Sequence, residues 1–420
     1  MDPSPGRQEL QRSYTPDVNP WRATMSAFCA SLIGIGLARF AYTPLLPAII
    51  GAHWFKPSEA AYLGAANLAG YLAGAILGRL VAKWAQIAIT LRLMMVLATA
   101  AFFACAYPLS FLWFFTWRFI AGFSGGVLMV LAAPTVIPLV PHSRRGLAGG
   151  LIFMGVGVGI AVSGTLVPLL MQHGLRETWI ALGLLCCALT AIAWGGWPRM
   201  ALPVVATAAH RQHPRQTATL RALYIEYALN AAGLVPHMIF LVDFIARGLG
   251  QGLRAGAQYW VLFGLGAMIG PLLSGHLADR LGFGRALRLA YLLQFCAVCL
   301  PALDLGVMSR IISSIVVGAF TPGIVPLVLG RVHELLPQHP DAQKAAWSKA
   351  TVSFAVLQAS AAYGASYVFA RGGDYHVLFV SGSVAILLAL TVDLVTGVAF
   401  RAGQRQHALQ QPKPTRQPAE

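Results

Sequence analysis

The chain has 420 residues, of which 57% are hydrophobic and only 10% charged, against roughly 25% charged in an ordinary soluble domain. So little charge cannot coat a water-facing surface, which excludes a soluble globular protein. At about 20 apolar residues per crossing the length suits roughly a dozen membrane spans and little else. The formal net charge of +16 is spread between apolar runs instead of clustered on one polar domain, which excludes a nucleic-acid-binding surface.

Residues 1–21 are polar and contain proline, without the apolar core of a signal peptide, and are read as a disordered cytoplasmic tail. Apolar runs then predict spans at 22–50, 60–82, 87–107, 111–139, 147–171 and 178–197. A basic stretch over 199–220 reads as a cytoplasmic linker. The second set falls at 221–246, 255–278, 286–305, 307–330, 347–370 and 375–399, and 401–420 reads as a second disordered tail. The expectation is an all-α integral membrane protein of two six-helix bundles, 22–198 and 221–400.

Orientation follows from Lys and Arg. With the N-terminus inside, 22 of the 30 fall on the cytoplasmic tails and loops. Six lie opposite (Lys56, Arg176, Arg247, Arg254, Arg310 and Arg371), and Arg39 and Arg118 lie within spans. Both termini are therefore expected in the cytoplasm. The six cysteines all sit in apolar runs. Cys296 and Cys299 read as two small residues on one helix face, not as a redox or metal pair, because no second pair or nearby His accompanies them.

The two halves resemble each other. Gly36-Leu37 recurs as Gly233-Leu234, Gly78 as Gly275 and Lys83 as Arg280, all at an offset of 197 residues. The segment Ala133-Pro134 to Val140 matches Thr321-Pro322 to Val328, sharing Pro-x-x-x-Pro-Leu-Val. A parallel repeat of this kind implies a pseudo-twofold with a cavity between the halves.

Gly275-His-Leu-Ala-Asp279-Arg280-Leu-Gly282-Phe-Gly-Arg285 resembles the G-x-x-x-D-R/K-x-G-R/K signature of the major facilitator superfamily, and the resemblance covers 22–400. It implies that Gly275 allows close helix approach and that Asp279 and the arginines latch a cytoplasmic gate. The first-half copy has Ala82 where the acid belongs, so the latch is expected on one side only. Arg118-Phe-Ile-Ala-Gly122 is similar to the superfamily's span-4 motif, which implies coupling or substrate contact for Arg118. Gly155-x-x-x-Gly159-Ile160-x-x-Ser163-Gly164 keeps the spacing of the antiporter motif without its proline; the alternative is a close-packing face of small residues. Gly36-Leu-Ala-Arg39-Phe-Ala-Tyr42-Thr-Pro44-Leu-Leu-Pro47 resembles the start of the YbfB/YjiJ family of bacterial transporters, a name that implies transport without naming a cargo.

Ionisable residues inside a bilayer are costly, so they tend to serve function or to be paired. Arg39, with Tyr42 one turn on, suits a substrate or coupling site; pairing with an acidic neighbour is the alternative. Span 7 carries Glu226, Asn230, His237 and Asp243 around Pro236. His237 suits a proton carrier or a satisfied core histidine, and Glu226 and Asp243 suit proton carriers or interfacial ion pairs. Asn67 and Gln358 suit hydrogen bonds to cargo or between helices, and Asp393 reads as structural.

Together these residues predict a non-enzymatic secondary transporter of the bacterial inner membrane, probing its solute by alternating access. A small organic, preferably anionic cargo and proton coupling are expected, in a monomer without metal or cofactor. No Walker A pattern occurs, so ATP is not the expected driving force. Broad-specificity drug or metabolite efflux is the alternative within the class, and a non-transporting membrane sensor the alternative outside it.

Overall fold

The computed structural model describes residues 18–141, 144–198, 214–337 and 339–410. Residues 1–17 of the expected first tail, 199–213 of the linker and the chain beyond 410 lie outside the described residues.

Among the described residues, twelve helices are long and apolar enough to cross a membrane. They are α1 (Pro20–Gly51), α2 (Pro57–Gly78), α3 (Ile87–Cys105), α4 (Phe111–Leu139), α5 (Leu147–Leu170) and α6 (Leu175–Ala193) in the first half. The second half holds α7 (Ala218–Gly248), α8 (Gly252–Leu281), α9 (Phe283–Leu303), α10 (Val307–Leu335), α11 (Ala345–Gly372) and α12 (Tyr375–Thr396). Local chemistry sets several starts. The Asn19 side chain accepts the Trp21 N–H at 2.9 Å with Pro20 at the first helical position. Ser110 caps α4 by accepting from the Trp113 N–H at 3.1 Å. Two boundaries differ from the sequence expectation: helix precedes α7 from Pro214, inside the expected linker, and helix follows α12 to Gln410, past the expected end at 400.

An even number of crossings puts the start of α1 and the end of α12 on one face, here called the near face; the other is the far face. Within the halves α2 packs on α4, α3 on α4 and α6, α8 on α10, and α9 on α10 and α12, while α7 lies against α11 and α12. Across the halves the principal contacts are α5 on α8 and α2 on α11, with α1 on α7. Exposed leucines and valines such as Leu112, Leu184, Leu272, Leu273 and Val395 cover the outside, as lipid contact requires. By contrast the apolar stretch of α1 is 94% buried and that of α7 is 89%, against 33–61% for the others. These two helices are therefore the axis of the molecule.

Both axial helices are irregular. α1 passes through a π-helical segment at Leu32–Leu37 and a turn before helix resumes at Tyr42–Gly51. α7 has π-helical segments at Pro236–Phe240 and Phe244–Gly248. Pro44 and Pro236 remove backbone donors at these breaks, and π segments concentrate at functional positions. Close packing holds α1 in place: a Cβ on Gly36 would lie 2.8 Å from the Gly159 Cα and 3.0 Å from the Gly155 carbonyl oxygen. The small-residue run of α5 is thus a packing face against α1, and Gly164 continues it against Val261 of α8.

The pseudo-twofold extends to side chains. Leu91-Arg92-Leu93 of α3 and Leu287-Arg288-Leu289 of α9 occupy matching places. Arg92 Nε donates to the Trp194 carbonyl at the end of α6, at 2.9 Å, and Arg288 Nε donates to the Asp393 carboxylate of α12.

Candidate functional site

At the turn in α1 the carbonyl of Ala38 escapes the helical ladder, and two side chains satisfy it. Arg118 Nη1 of α4 donates to it at 2.8 Å, and Asn67 Nδ2 of α2 donates at 3.3 Å and to the Arg118 carbonyl at 3.1 Å. The Arg118 guanidinium lies 4.3 Å from the centre of the Tyr42 ring, whose hydroxyl donates to the Ala60 carbonyl at 2.7 Å. One break in α1 therefore recruits a cation from α4 and an amide from α2.

The same turn sends Arg39 across to the other half. Its Nη2 donates to Gln358 Oε1 of α11 at 2.6 Å and to Met238 Sδ of α7 at 3.7 Å. Gln358 Nε2 also donates to that sulfur, at 3.5 Å. The rings of Tyr71 and Phe40 lie 5.1 and 5.2 Å from the Arg39 guanidinium carbon, within cation–π range. Beside it Thr43 donates to the Met238 carbonyl. A cavity of about 10 Å³, room for a single water, is enclosed by Arg39, Tyr42, Thr43, Asn67, Arg118 and Met238 among others.

Charge is the notable property of this cavity. Two guanidinium groups line it, and among the described residues neither forms an ion pair. Arg39 Nε, Arg118 Nε and Asn67 Oδ1 are buried without a hydrogen-bond partner. Buried cations are ordinarily paired, because desolvation alone costs several kcal/mol per ion. Here aromatic faces and neutral oxygens stand where a carboxylate would.

Five of the residues expected from sequence thus meet in one place: Arg39, Tyr42, Asn67, Arg118 and Gln358. The four polar residues of span 7 do not join them. Asn230 Nδ2 donates to Gln294 Oε1 of α9 at 2.6 Å, inside the second half. His237 Nε2 lies 2.8 Å from Ser313 Oγ of α10 and its ring meets Phe379 of α12 edge-on. Asp243 pairs with Arg247 at 3.2 Å and accepts from the Tyr375 hydroxyl at 2.6 Å near the far face. Glu226 lies toward the near face, beside a separate cavity with Arg331 and Asp393. The side of α7 that meets the central cavity is instead the apolar one, Met238 and Ile239.

Among the described residues, the charged groups of the expected latch form no ion pair. Asp279, Arg280 and Arg285 are exposed, and among the described residues no atom outside the helix's own backbone lies within 4 Å of a Cβ placed on Gly275. Gly282 does serve the loop, at φ +79°, where a side chain would be strained. The ion pair at this end is Arg331–Glu334 at 2.8 Å, and Glu334 also accepts the Phe283 N–H at 3.1 Å. Met238 and Thr43 gave no sequence signal, being unremarkable residues in apolar runs. Tyr71 carried one, since it follows Asn67 by four residues and shares its face.

Comparison with known proteins agrees with this architecture. Residues 31–394 match the family described as uncharacterised MFS-type transporter YbfB. No curated protein matches the sequence. Among solved structures, a D-xylose–proton symporter superposes with a TM-score of 0.69 at 13% identity, covering 89% of this chain and 97% of that one. A partially occluded, inward-open form of the xylose transporter XylE from E. coli gives 0.67 at 12%, covering 88% and 96%. A variant of the nucleoside transporter NupG gives 0.66 at 12%, covering 89% and 99%. The chain belongs to the YbfB-type family of major facilitator transporters and is a multi-pass membrane protein of the secondary-transporter class.

Proposed function

We propose that the protein moves a small carboxylate-bearing solute across the bacterial inner membrane by alternating access, driven by protons, and works as a monomer with both termini in the cytoplasm. The observation that carries this reading is the pair of buried guanidinium groups, Arg39 and Arg118, around one cavity without a counter-charge. A carboxylate would supply the missing charge and accept from the unpartnered Nε atoms, the planar two-point match that guanidinium favours. The same two charges argue against a cationic drug as cargo.

Arg39 also touches both halves of the molecule, since it belongs to α1 and bonds Gln358 and Met238. Cargo that competes for Arg39 would loosen the halves as it binds, which ties recognition to the rocking motion. The cavity has room for no more than about one water, so solute enters after the halves separate. The bias of 22 Lys and Arg residues against six supports a cytoplasmic near face.

Proteoliposomes test this directly, with radiolabelled lactate, succinate and benzoate as probes and an imposed pH gradient. Accumulation of one carboxylate, abolished by a protonophore and absent for its amide, is the expected result. Accumulation of neutral solutes alone would contradict the reading.

A further inference from the structure

We propose that the second half holds a proton-binding site of its own at Glu226, about 18 Å along α7 from Met238 and the cargo cavity (twelve residues at 1.5 Å each). Glu226 is 3% exposed, and its Oε2 has no hydrogen-bond partner. It lines a cavity of about 10 Å³ with Thr219, Arg331, Asp393 and Thr396, large enough for one water. Thr219, Arg331 and Thr396 are half-exposed, which gives the cavity a route to the near face.

The neighbouring charges leave this carboxyl unmatched. From α9 come Arg288 and Tyr291, from α10 Arg331, and from α12 Asp393. Arg288 is committed to Asp393, and Arg331 is paired with Glu334. α11 meets this part of α7 with aromatic rings: Trp347 stacks on Tyr227, and Phe354 packs against it at a tilt. Two arginines and two acids cancel, so among the described residues Glu226 is the carboxyl here left without an ion-pair partner. An ionised carboxylate in that position is costly, and a proton is the smallest ligand that removes the charge.

Pseudo-symmetry shows that the fold does not require this polarity. Under the repeat offset of 197, Glu226 corresponds to Cys29 and Asn230 to Ile33. Aligning Leu91-Arg92-Leu93 with Leu287-Arg288-Leu289 sets Tyr291 on Met95 and Gln294 on Ala98. All four first-half residues are buried and none is a carboxyl, an amide or a phenol. One half closes this junction with apolar packing, whereas the other inserts a carboxyl, an amide pair and a phenol. Among these, Tyr291 OH, Asn230 Oδ1 and Gln294 Nε2 are also buried without partners.

The step is simple in chemical terms. A proton from near-face water forms an O–H bond on Glu226, and the same bond breaks to return it. α7 carries both this site and the Met238 wall of the cargo cavity, and Met238 lies within the π-helical break at Pro236–Phe240. Bending at that break links the two. That coupling role rests on the proton-driven reading above, whereas the site itself does not.

Infrared difference spectroscopy of the full-length protein in lipid, taken between mildly acidic and mildly alkaline pH, tests the site without any cargo. The wild type is expected to show a titrating carboxylic acid C=O band that vanishes in Glu226→Gln and persists in Asp243→Asn. Glu226→Asp, which keeps a carboxyl, is expected to shift the band without removing it, separating titration from a folding defect. A band unchanged in Glu226→Gln, or no titrating band at all, overturns the site whatever the transport assays give. Carboxylate uptake indifferent to a pH gradient, with the Glu226 band present, would overturn the coupling role alone.

Discussion

Among the described residues Arg39 is held by neutral partners, an amide oxygen at 2.6 Å and a thioether sulfur at 3.7 Å. A charge-assisted hydrogen bond contributes about 1.5–3 kcal/mol, so an anionic oxygen competes well against either. This gives a direct prediction for its amide partner. Gln358→Glu places a carboxylate where the amide oxygen now meets the guanidinium, supplying internally the charge that cargo would bring. Carboxylate affinity of that variant is expected to fall more than about tenfold, roughly 1.4 kcal/mol, by equilibrium binding of the labelled probe. Unchanged affinity would mean that cargo does not use Arg39. At this scale the sequence was informative where a polar residue interrupts an apolar run, as at Arg39, Asn67, Arg118 and Gln358. It was uninformative about which neighbour such a residue faces. Asn230 and His237 do face one side of α7, as their spacing suggests, but that side looks into the second half toward Gln294 and Ser313. Periodicity measures phase along a helix and carries no reference to the helix opposite.

Helix elements show why α1 and α7 differ from the other ten. Their breaks free backbone groups at depth, which a membrane protein tolerates only where protein or a cavity satisfies them. Arg118 and Asn67 satisfy the Ala38 carbonyl in this way. Regular helices around them hold the irregular ones by close contact, and the glycines show which contacts matter. Gly159→Leu would drive a side chain into Gly36, where a Cβ alone would lie 2.5 Å from the Gly36 Cα. The expected cost is about 1–3 kcal/mol or more, visible as a lower melting temperature in detergent. Gly275→Ala, with open space around it, is expected to change stability by no more than about 0.5 kcal/mol. Equal losses from both variants would contradict the assignment. Gly275 belongs to the most recognisable motif in the sequence, yet among the described residues nothing outside its own helix packs against it.

As a whole, the molecule is two bundles that meet chiefly through α5–α8, α2–α11 and α1–α7. Toward the far face the rings of Tyr62 on α2 and Tyr363 on α11 lie 6.2 Å apart, and Thr43 donates to the Met238 carbonyl nearby. If the halves rock about the central cavity, these contacts must part in each cycle. A Tyr62→Cys, Tyr363→Cys pair, with Cys187 and Cys296 replaced by Ser, is expected to cross-link with a short bifunctional thiol reagent. Transport of the labelled carboxylate should cease on cross-linking and return when a cleavable linker is reduced; full activity while cross-linked would rule out rocking at this contact. Twelve spans and a repeat were legible because each crossing demands its own apolar run. Which face is closed was not, because apolar composition is the same in every state of the cycle.

Whether Arg39 binds a carboxylate is read from the melting temperature of purified protein titrated with lactate, succinate, benzoate and their amides, in wild type and in Arg39→Ala. A carboxylate is expected to stabilise the wild type, its amide is not, and the stabilisation is expected to disappear in Arg39→Ala. A carboxylate shift that survives Arg39→Ala, or equal shifts from acid and amide, would contradict a cargo site built on its unpaired guanidinium.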